Sequence, residues 1–176
     1  MPMKNAKVPI LGFAAHSGTG KTTLLTQLIP TLKQDGLRIG LIKHSHHNFQ
    51  IDQPGKDSFR LREAGASAVM LVSSHRRAII TEFSTITEPL LNEQLLAFDQ
   101  SELDLILVEG FKATQFPKIE LHRPSHNMSL LYPNDPSIIA VASDIPLSIP
   151  STLVQLDLNQ PGQIAQFITQ QFMGLT

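Results

Sequence analysis

Ala15-His16-Ser17-Gly18-Thr19-Gly20-Lys21-Thr22-Thr23 constrains this chain more than any other stretch. A short apolar run from Val8 to Ala14 precedes it, the length of a buried strand. Leu24, Leu25, Leu28 and Ile29 follow at helical spacing. Strand, glycine-rich turn, Gly-Lys-Thr and helix together are the context in which a phosphate-binding loop works. Gly18 and Gly20 let the backbone turn tightly, so that the N–H groups of Ser17, Gly18, Thr19, Gly20, Lys21, Thr22 and Thr23 can face phosphate oxygens. The new helix adds its free N–H groups and positive dipole end. Lys21 serves as a point charge on the β- and γ-phosphates, and the Thr22 hydroxyl belongs on a magnesium ion. The usual pattern opens with glycine, and Ala15 stands in its place. A ligand-free turn would leave Lys and Thr directly after Gly20 unexplained.

This motif predicts a P-loop NTPase-like α/β fold: a mostly parallel central sheet with helices on both faces. The 176 residues fit one nucleotide-binding domain, residues 1–176. A formal net charge of −1 and no basic stripe argue against nucleic acid as a partner. The absence of cysteine excludes disulfides and thiolate metal sites, and fits a reducing compartment. No apolar run approaches the roughly 20 residues of a membrane span. Lys4 and Lys7 before an apolar stretch mimic a targeting signal, but that stretch runs into the phosphate loop, so a cytoplasmic protein is expected.

The first helix is predicted over Lys21–Gln34, with Gly36 as its left-handed stop and Pro30 loosening its third turn. Arg38–Lys43 reads as a strand ending in His44-Ser45-His46-His47. Histidines at such spacing can ligate zinc, copper or nickel, but no carboxylate set completes a four-ligand site, so a polar loop lining a nucleotide or partner site is the better reading. In Asp52-Gln53-Pro54-Gly55-Lys56-Asp57-Ser58, Asp57 or Ser58 can cap a helix over Phe59–Ala64. The same segment can act as a switch, with Asp52, Lys56 and Asp57 facing the γ-phosphate, magnesium or attacking water. Asp52 and Asp57 are thus the candidate catalytic residues. Ala68–Ser73 reads as a buried strand, and Ala78–Thr81 as a short strand pairing back to it. Thr85 to Glu88 has capping-box spacing before a helix over Pro89–Phe98, with Leu90, Leu91, Leu95 and Leu96 in one stripe.

Leu103 to Gly110 is predicted to be a central parallel strand that delivers Glu109 to the ligand edge, where a phosphate-loop protein needs a carboxylate for magnesium, usually through water. Asp104, at its start, is expected to be solvated. Lys118–Leu121 resembles a short strand, and residues 122–136 an irregular surface segment. Ser137–Asp144 is a further central strand whose terminal Asp144 can accept two hydrogen bonds from the N1 and N2 edge of guanine; a turn-starting role before Ile145-Pro146 is the alternative. The usual guanine signature has Asn-Lys before that aspartate, and Val141 and Ala142 stand there instead. Leu153–Leu156 reads as an edge strand and Pro161 as the start of a closing helix reaching Phe172.

Taken in order, Ser17-Gly18-Thr19-Gly20-Lys21-Thr22-Thr23-Leu24, Ile42-Lys43-His44-Ser45-His46-His47, Asp52 through Ser58, Leu107-Val108-Glu109-Gly110-Phe111-Lys112 and Ala140-Val141-Ala142-Ser143-Asp144 resemble the molybdopterin-guanine dinucleotide biosynthesis protein B family, MobB. The resemblance runs from about Pro9 to the last helix. It implies a homodimer that binds GTP and magnesium and hydrolyses GTP weakly. Such a protein is an accessory or adapter in molybdenum cofactor (molybdopterin guanine dinucleotide) biosynthesis, acting beside the molybdopterin-guanine nucleotidyltransferase. Carried over by position, Gly18, Gly20, Lys21, Thr22 and Thr23 bind phosphate and magnesium, Glu109 serves the metal, and Asp144 meets the base.

No arginine finger or water-positioning glutamine stands out, which predicts slow hydrolysis. Two other readings remain open from the residues alone. One is an ATP-dependent small-molecule kinase, with Asp52 or Asp57 taking the acceptor proton. The other is a nucleotide-gated metal chaperone built on His44, His46 and His47.

Overall fold

The computed structural model describes residues 3–45 and 48–175. In chain order the elements are β1 (Ile10–Ala14), α1 (Lys21–Gln34), β2 (Ile39–Lys43), α2 (Asp57–Glu63), β3 (Ala68–Val72), β4 (Arg77–Thr81), α3 (Leu91–Ala97), β5 (Leu105–Glu109), β6 (Lys118–His122), β7 (Ile138–Ser143), β8 (Val154–Asp157) and α4 (Pro161–Gln166). They form two compact units. The first runs to His44 and resumes at Leu90, and the second is Ser45–Pro89.

In the first unit, six parallel strands line up in a sheet of order β2-β5-β1-β6-β7-β8, with the apolar β1, β5 and β7 inside it. Alternate residues feed two cores. Leu11 and Phe13 of β1 and Leu105 and Leu107 of β5 face α1 and the closing helix, where Leu24, Leu28, Leu32, Ile164 and Ile168 meet them. Ile10, Ile106 and Val108 face the other side, against Leu91 and Leu95 of α3 and the loop residues Phe111 and Phe116. Helices thus cover both faces, as the phosphate-loop motif requires. Leu28 and Leu32 are fully buried, each worth about 1.5–3 kcal/mol.

Helix α1 has the predicted bounds and runs through Pro30. It ends in a Schellman pair, Gly36 N–H to Lys33 O at 3.0 Å and Leu37 N–H to Leu32 O at 3.1 Å. The closing helix starts at Pro161 as predicted, then widens into π-helical turns over Phe167–Phe172, with Met173 N–H donating to Ile168 O at 2.9 Å. Asp104 is paired rather than simply solvated: its carboxylate accepts from Arg38 N, Nε and Nη2 at 2.8–3.0 Å.

β6 departs furthest from its sequence pattern. Lys118-Ile119-Glu120-Leu121-His122 alternates like a half-solvated strand, yet all five residues are buried between β1 and β7. Its polar face lies under irregular loops whose backbone groups need partners. Lys118 Nζ donates to Thr114 O at 2.6 Å, Asp135 Oδ2 at 2.8 Å and Ser137 Oγ at 2.9 Å, fastening the 110–117 crossing. Glu120 accepts from Leu131 N at 2.7 Å and Tyr132 N at 2.9 Å, fastening the 123–136 segment. The crossing also needs Gly12, because a Cβ there would sit 2.7 Å from the Phe116 ring.

The second unit corrects two expectations. Ala68–Val72 pairs back with β4 as expected, antiparallel from Ala68↔Thr81 to Val72↔Arg77, but it is largely exposed rather than buried and belongs to a separate two-stranded sheet. Its partner follows after a tight turn, closed by Ser73 N–H to Arg76 O at 2.9 Å, too short a connection for a parallel crossover. Lys56, not Asp57 or Ser58, occupies the N-cap of α2, and Asp57 sits in its first turn, where the helix dipole favours a carboxylate. At α3, in the first unit, Leu90 is the N-cap without a side-chain hydrogen bond, so the Thr85-to-Glu88 spacing forms no capping box. Leu91 and Leu95 are buried there, whereas Leu90 and Leu96 are exposed.

Candidate nucleotide site

The site begins where β1 ends. Ala15 continues the strand into the core at 1% exposure, and its φ is not positive, so the position usually held by glycine makes no demand for one here. Gly18 and Gly20 do need their freedom, with φ of +79° and +104°; Gly20 is the N-cap of α1. Added Cβ atoms would meet nothing within 4 Å at either glycine, so the backbone there faces open space. Thr19 is buried, its hydroxyl donating to His16 O at 2.9 Å, while Ser17, Gly18, Thr22 and Thr23 are exposed. The first-turn N–H groups of α1, at Lys21, Thr22 and Thr23, have no acceptor within the helix. Lys21 Nζ lies 3.5 Å from both Ala15 O and His16 O, folded across the loop. Partial burial holds the Lys21 pKa below the usual lysine value; Glu109 opposes that shift, and Lys112 and Lys43 add to it.

Glu109 sits at the carboxyl end of β5, registered against Phe13 on one side and Lys43 on the other. Its Oε2 is 3.2 Å from Lys43 Nζ. The chain then turns sharply through Gly110 and Phe111, at φ of +96° and +52°. A Cβ on Gly110 would fall 2.7 Å from His44 Cβ, and the His44 ring stacks on Phe111 at 4.8 Å. Lysines 21, 43 and 112 with one carboxylate therefore share the edge beside the free N–H groups. That donor set fits a polyphosphate carrying a divalent cation.

Asp144 follows β7 on the same edge. Its Oδ2 accepts from Arg123 Nη1 at 2.7 Å, and Arg123 Nε donates to Thr19 O at 3.1 Å. The phosphate loop is also held from the 123–136 segment, where His16 Nε2 lies 2.9 Å from Ser129 O. The sequence patterns include His16 and Lys112 without giving them a role of their own and do not single out Arg123. The only signal for Arg123 was its place one residue beyond a strand that ends level with Ser143.

Asp52 and Asp57 lie in the second unit. Asp52 is held in a two-point ion pair by Arg62, Nε to Oδ2 and Nη2 to Oδ1 both at 3.2 Å, and Arg62 also meets Glu82 at 3.0 Å. Asp57 lines a cavity of about 570 Å³ within that unit, together with Asp52, Lys56, Ser58 and Arg76. Among the described residues no three His, Asp or Glu side chains gather as a metal site. His46 and His47 lie outside the described residues. Among the described residues, no helix is long and apolar enough to cross a membrane.

Residues 10–144 match the family model for molybdopterin guanine dinucleotide synthesis protein B, MobB. The molybdopterin-guanine dinucleotide biosynthesis adapter protein of Escherichia coli K12 is 48% identical over 171 residues, covering 93% of each chain. The adapter protein of Haemophilus influenzae is 48% identical over 165 residues, covering 93% of this chain and 89% of that one. The crystal structure of Bacillus subtilis MobB superposes with a TM-score of 0.72 at 22% identity, over 92% of this chain and 97% of that one. On a match that spans most of its length and relatives nearly half identical, this chain belongs to the MobB family.

Proposed function

We propose that this chain is a GTP-binding adapter in molybdopterin-guanine dinucleotide biosynthesis, working beside the nucleotidyltransferase that joins GMP to molybdopterin. The observation that carries the reading is the shared sheet edge. The phosphate loop, Lys21, Glu109 and Asp144 all stand at the carboxyl ends of adjoining parallel strands, in a chain whose relatives are named adapters of that synthesis. Ser17 to Thr23 cradle the phosphates through backbone N–H groups, Lys21 unfolds from Ala15 and His16 onto them, and Asp144 takes the guanine edge. Thr22 and Glu109 would hold magnesium, which would supply positive charge against the β- and γ-phosphates.

Hydrolysis is in-line attack of water on the γ-phosphate, with Lys21 and the loop N–H groups stabilising the charge that develops. The sequence offers no arginine finger or water-positioning glutamine for this step, so slow turnover is expected, as suits an adapter. The protein acts as a homodimer. Support for the dimer comes from the second unit, where Met70, Val72 and Ile79 leave apolar surface exposed by 56–75%.

Calorimetric titration with GTP and ATP, with and without magnesium, tests the reading. Magnesium-dependent preference for GTP is the expected result. Equal or tighter ATP binding overturns the guanine assignment and brings forward the small-molecule kinase.

A further inference from the structure

An aspartate can read a base only if it keeps a fixed distance from the loop that holds the same nucleotide's phosphates. The usual guanine signature places Asn-Lys ahead of its aspartate, and this chain has Val141 and Ala142 there, both 0% exposed and committed to the core. The tie comes from elsewhere. Arg123 stands one residue beyond β6, the strand that pairs with both β1 and β7. Its planar guanidinium spans the gap, Nε donating to the carbonyl of Thr19 at 3.1 Å and Nη1 to Asp144 Oδ2 at 2.7 Å. Thr19 is itself fixed, 3% exposed and bonded to His16.

We infer that Arg123 is a positioning residue for base recognition: it registers Asp144 against the phosphate loop and replaces, from the neighbouring strand, the missing Asn-Lys. The inference rests on the guanine-nucleotide reading above. Guanidinium geometry suits the task, because a rigid fork can hold two acceptors at a set separation, which a lysine ammonium does only loosely. With Arg123 on one carboxylate oxygen, Asp144 is held and aimed while the guanine N1–H and 2-amino groups approach.

The test measures affinities of the full chain for GTP, ITP and ATP in magnesium, comparing wild type with Arg123→Ala, Arg123→Lys and Asp144→Asn. ITP lacks the 2-amino group, so the GTP/ITP ratio reports the Asp144 contact, while ATP affinity reports the integrity of the phosphate loop in each variant. Wild type is expected to favour GTP over ITP by about tenfold or more, the worth of a hydrogen bond to a charged group. Arg123→Ala and Asp144→Asn each bring that ratio close to one while ATP binding persists, and Arg123→Lys restores part of it. Arg123→Ala with a wild-type ratio, alongside a collapsed ratio in Asp144→Asn, overturns the inference and leaves the nucleotide reading standing. A collapsed ratio in Arg123→Ala with selectivity intact in Asp144→Asn overturns it too, since the arginine then does not act through Asp144. A wild-type ratio near one overturns the guanine reading and this inference together.

Discussion

Lys43 Nζ stands 3.2 Å from Glu109 Oε2, on neighbouring parallel strands that place the two residues level with each other. Glu109 is nearly buried, its side chain 13% exposed, and Lys43 is its neutralising partner in the free protein. On the proposed reading, magnesium competes with this lysine for one carboxylate. Glu109→Gln is expected to weaken magnesium-dependent GTP binding roughly 10–100-fold, the usual cost of losing a residue that holds a metal through water. Binding in chelator should hold or improve, since a negative charge has left the phosphate site. Titrations with magnesium and with EDTA check this; unchanged magnesium dependence would reduce Glu109 to a partner for Lys43.

Lys21 carries a second expectation. Burial lowers its pKa in the folded chain, with Glu109 only partly compensating. A lysine whose folded pKa lies below the unfolded value makes folding more favourable as pH rises through the interval between the two, and folding gains nothing from its charge below it. Lys21→Met should therefore leave the melting temperature at pH 7 unchanged or higher while nucleotide affinity falls on the order of 100-fold, as for loss of a preorganised charge donor. Thermal melts paired with calorimetry separate the two effects. A variant that melts early while keeping its affinity contradicts both.

Strand, loop and helix around Lys21 were legible because a single local pattern dictates them, and the bounds of α1 follow from Gly20 and Gly36 alone. Glu109 and Asp144 were legible as strand-end residues, since every parallel strand must finish at the same edge. The β3–β4 hairpin was legible from its short connection, but the exposure of β3 was not, because an apolar run of five has no period that separates a buried strand from an exposed one. β6 was legible as a short strand, but its burial was not. Lys118 and Glu120 alternate as if facing water, when they hold the loops on either side of the strand. Arg123 was invisible because its partners, Thr19 and Asp144, lie beyond the ends of other strands, and strand order is not written in any one segment.

Arg38 and Asp104 give a pH signature. Arg38 donates to Asp104 from its backbone N–H and from both Nε and Nη2, which pulls the Asp104 pKa down to about 2. An aspartate depressed below its unfolded value contributes stability that is complete above about pH 4 and is lost as pH falls through the folded value. Asp104→Asn should thus differ from wild type by a constant amount near neutrality, and the gap should close between about pH 4 and 2. Because the pair is exposed, added salt should narrow the gap throughout. Urea unfolding across that pH range reads it directly, and a gap independent of pH excludes the ion pair as its source.

Lys118 is a buried charge with several partners. Its side chain is 2% exposed, with Asp135 Oδ2 at 2.8 Å and the Phe116 ring 5.0 Å from the ammonium, over a glycine that leaves room for that ring. Lys118→Met keeps the volume but leaves Asp135 Oδ2 and the Thr114 carbonyl without their donor, with Ser137 still on Asp135 Oδ1, so a loss of about 3–5 kcal/mol is expected. Lys118→Met combined with Asp135→Asn should recover part of it, because the stranded charge is then gone even though the Thr114 carbonyl remains unmet. Urea denaturation of the two single variants and the double variant measures the coupling. Additive losses would mean that Lys118 acts through the loop carbonyls alone. Recovery in the double variant ties the stability of the 110–117 crossing, and with it the turn that follows Glu109, to this one ion pair.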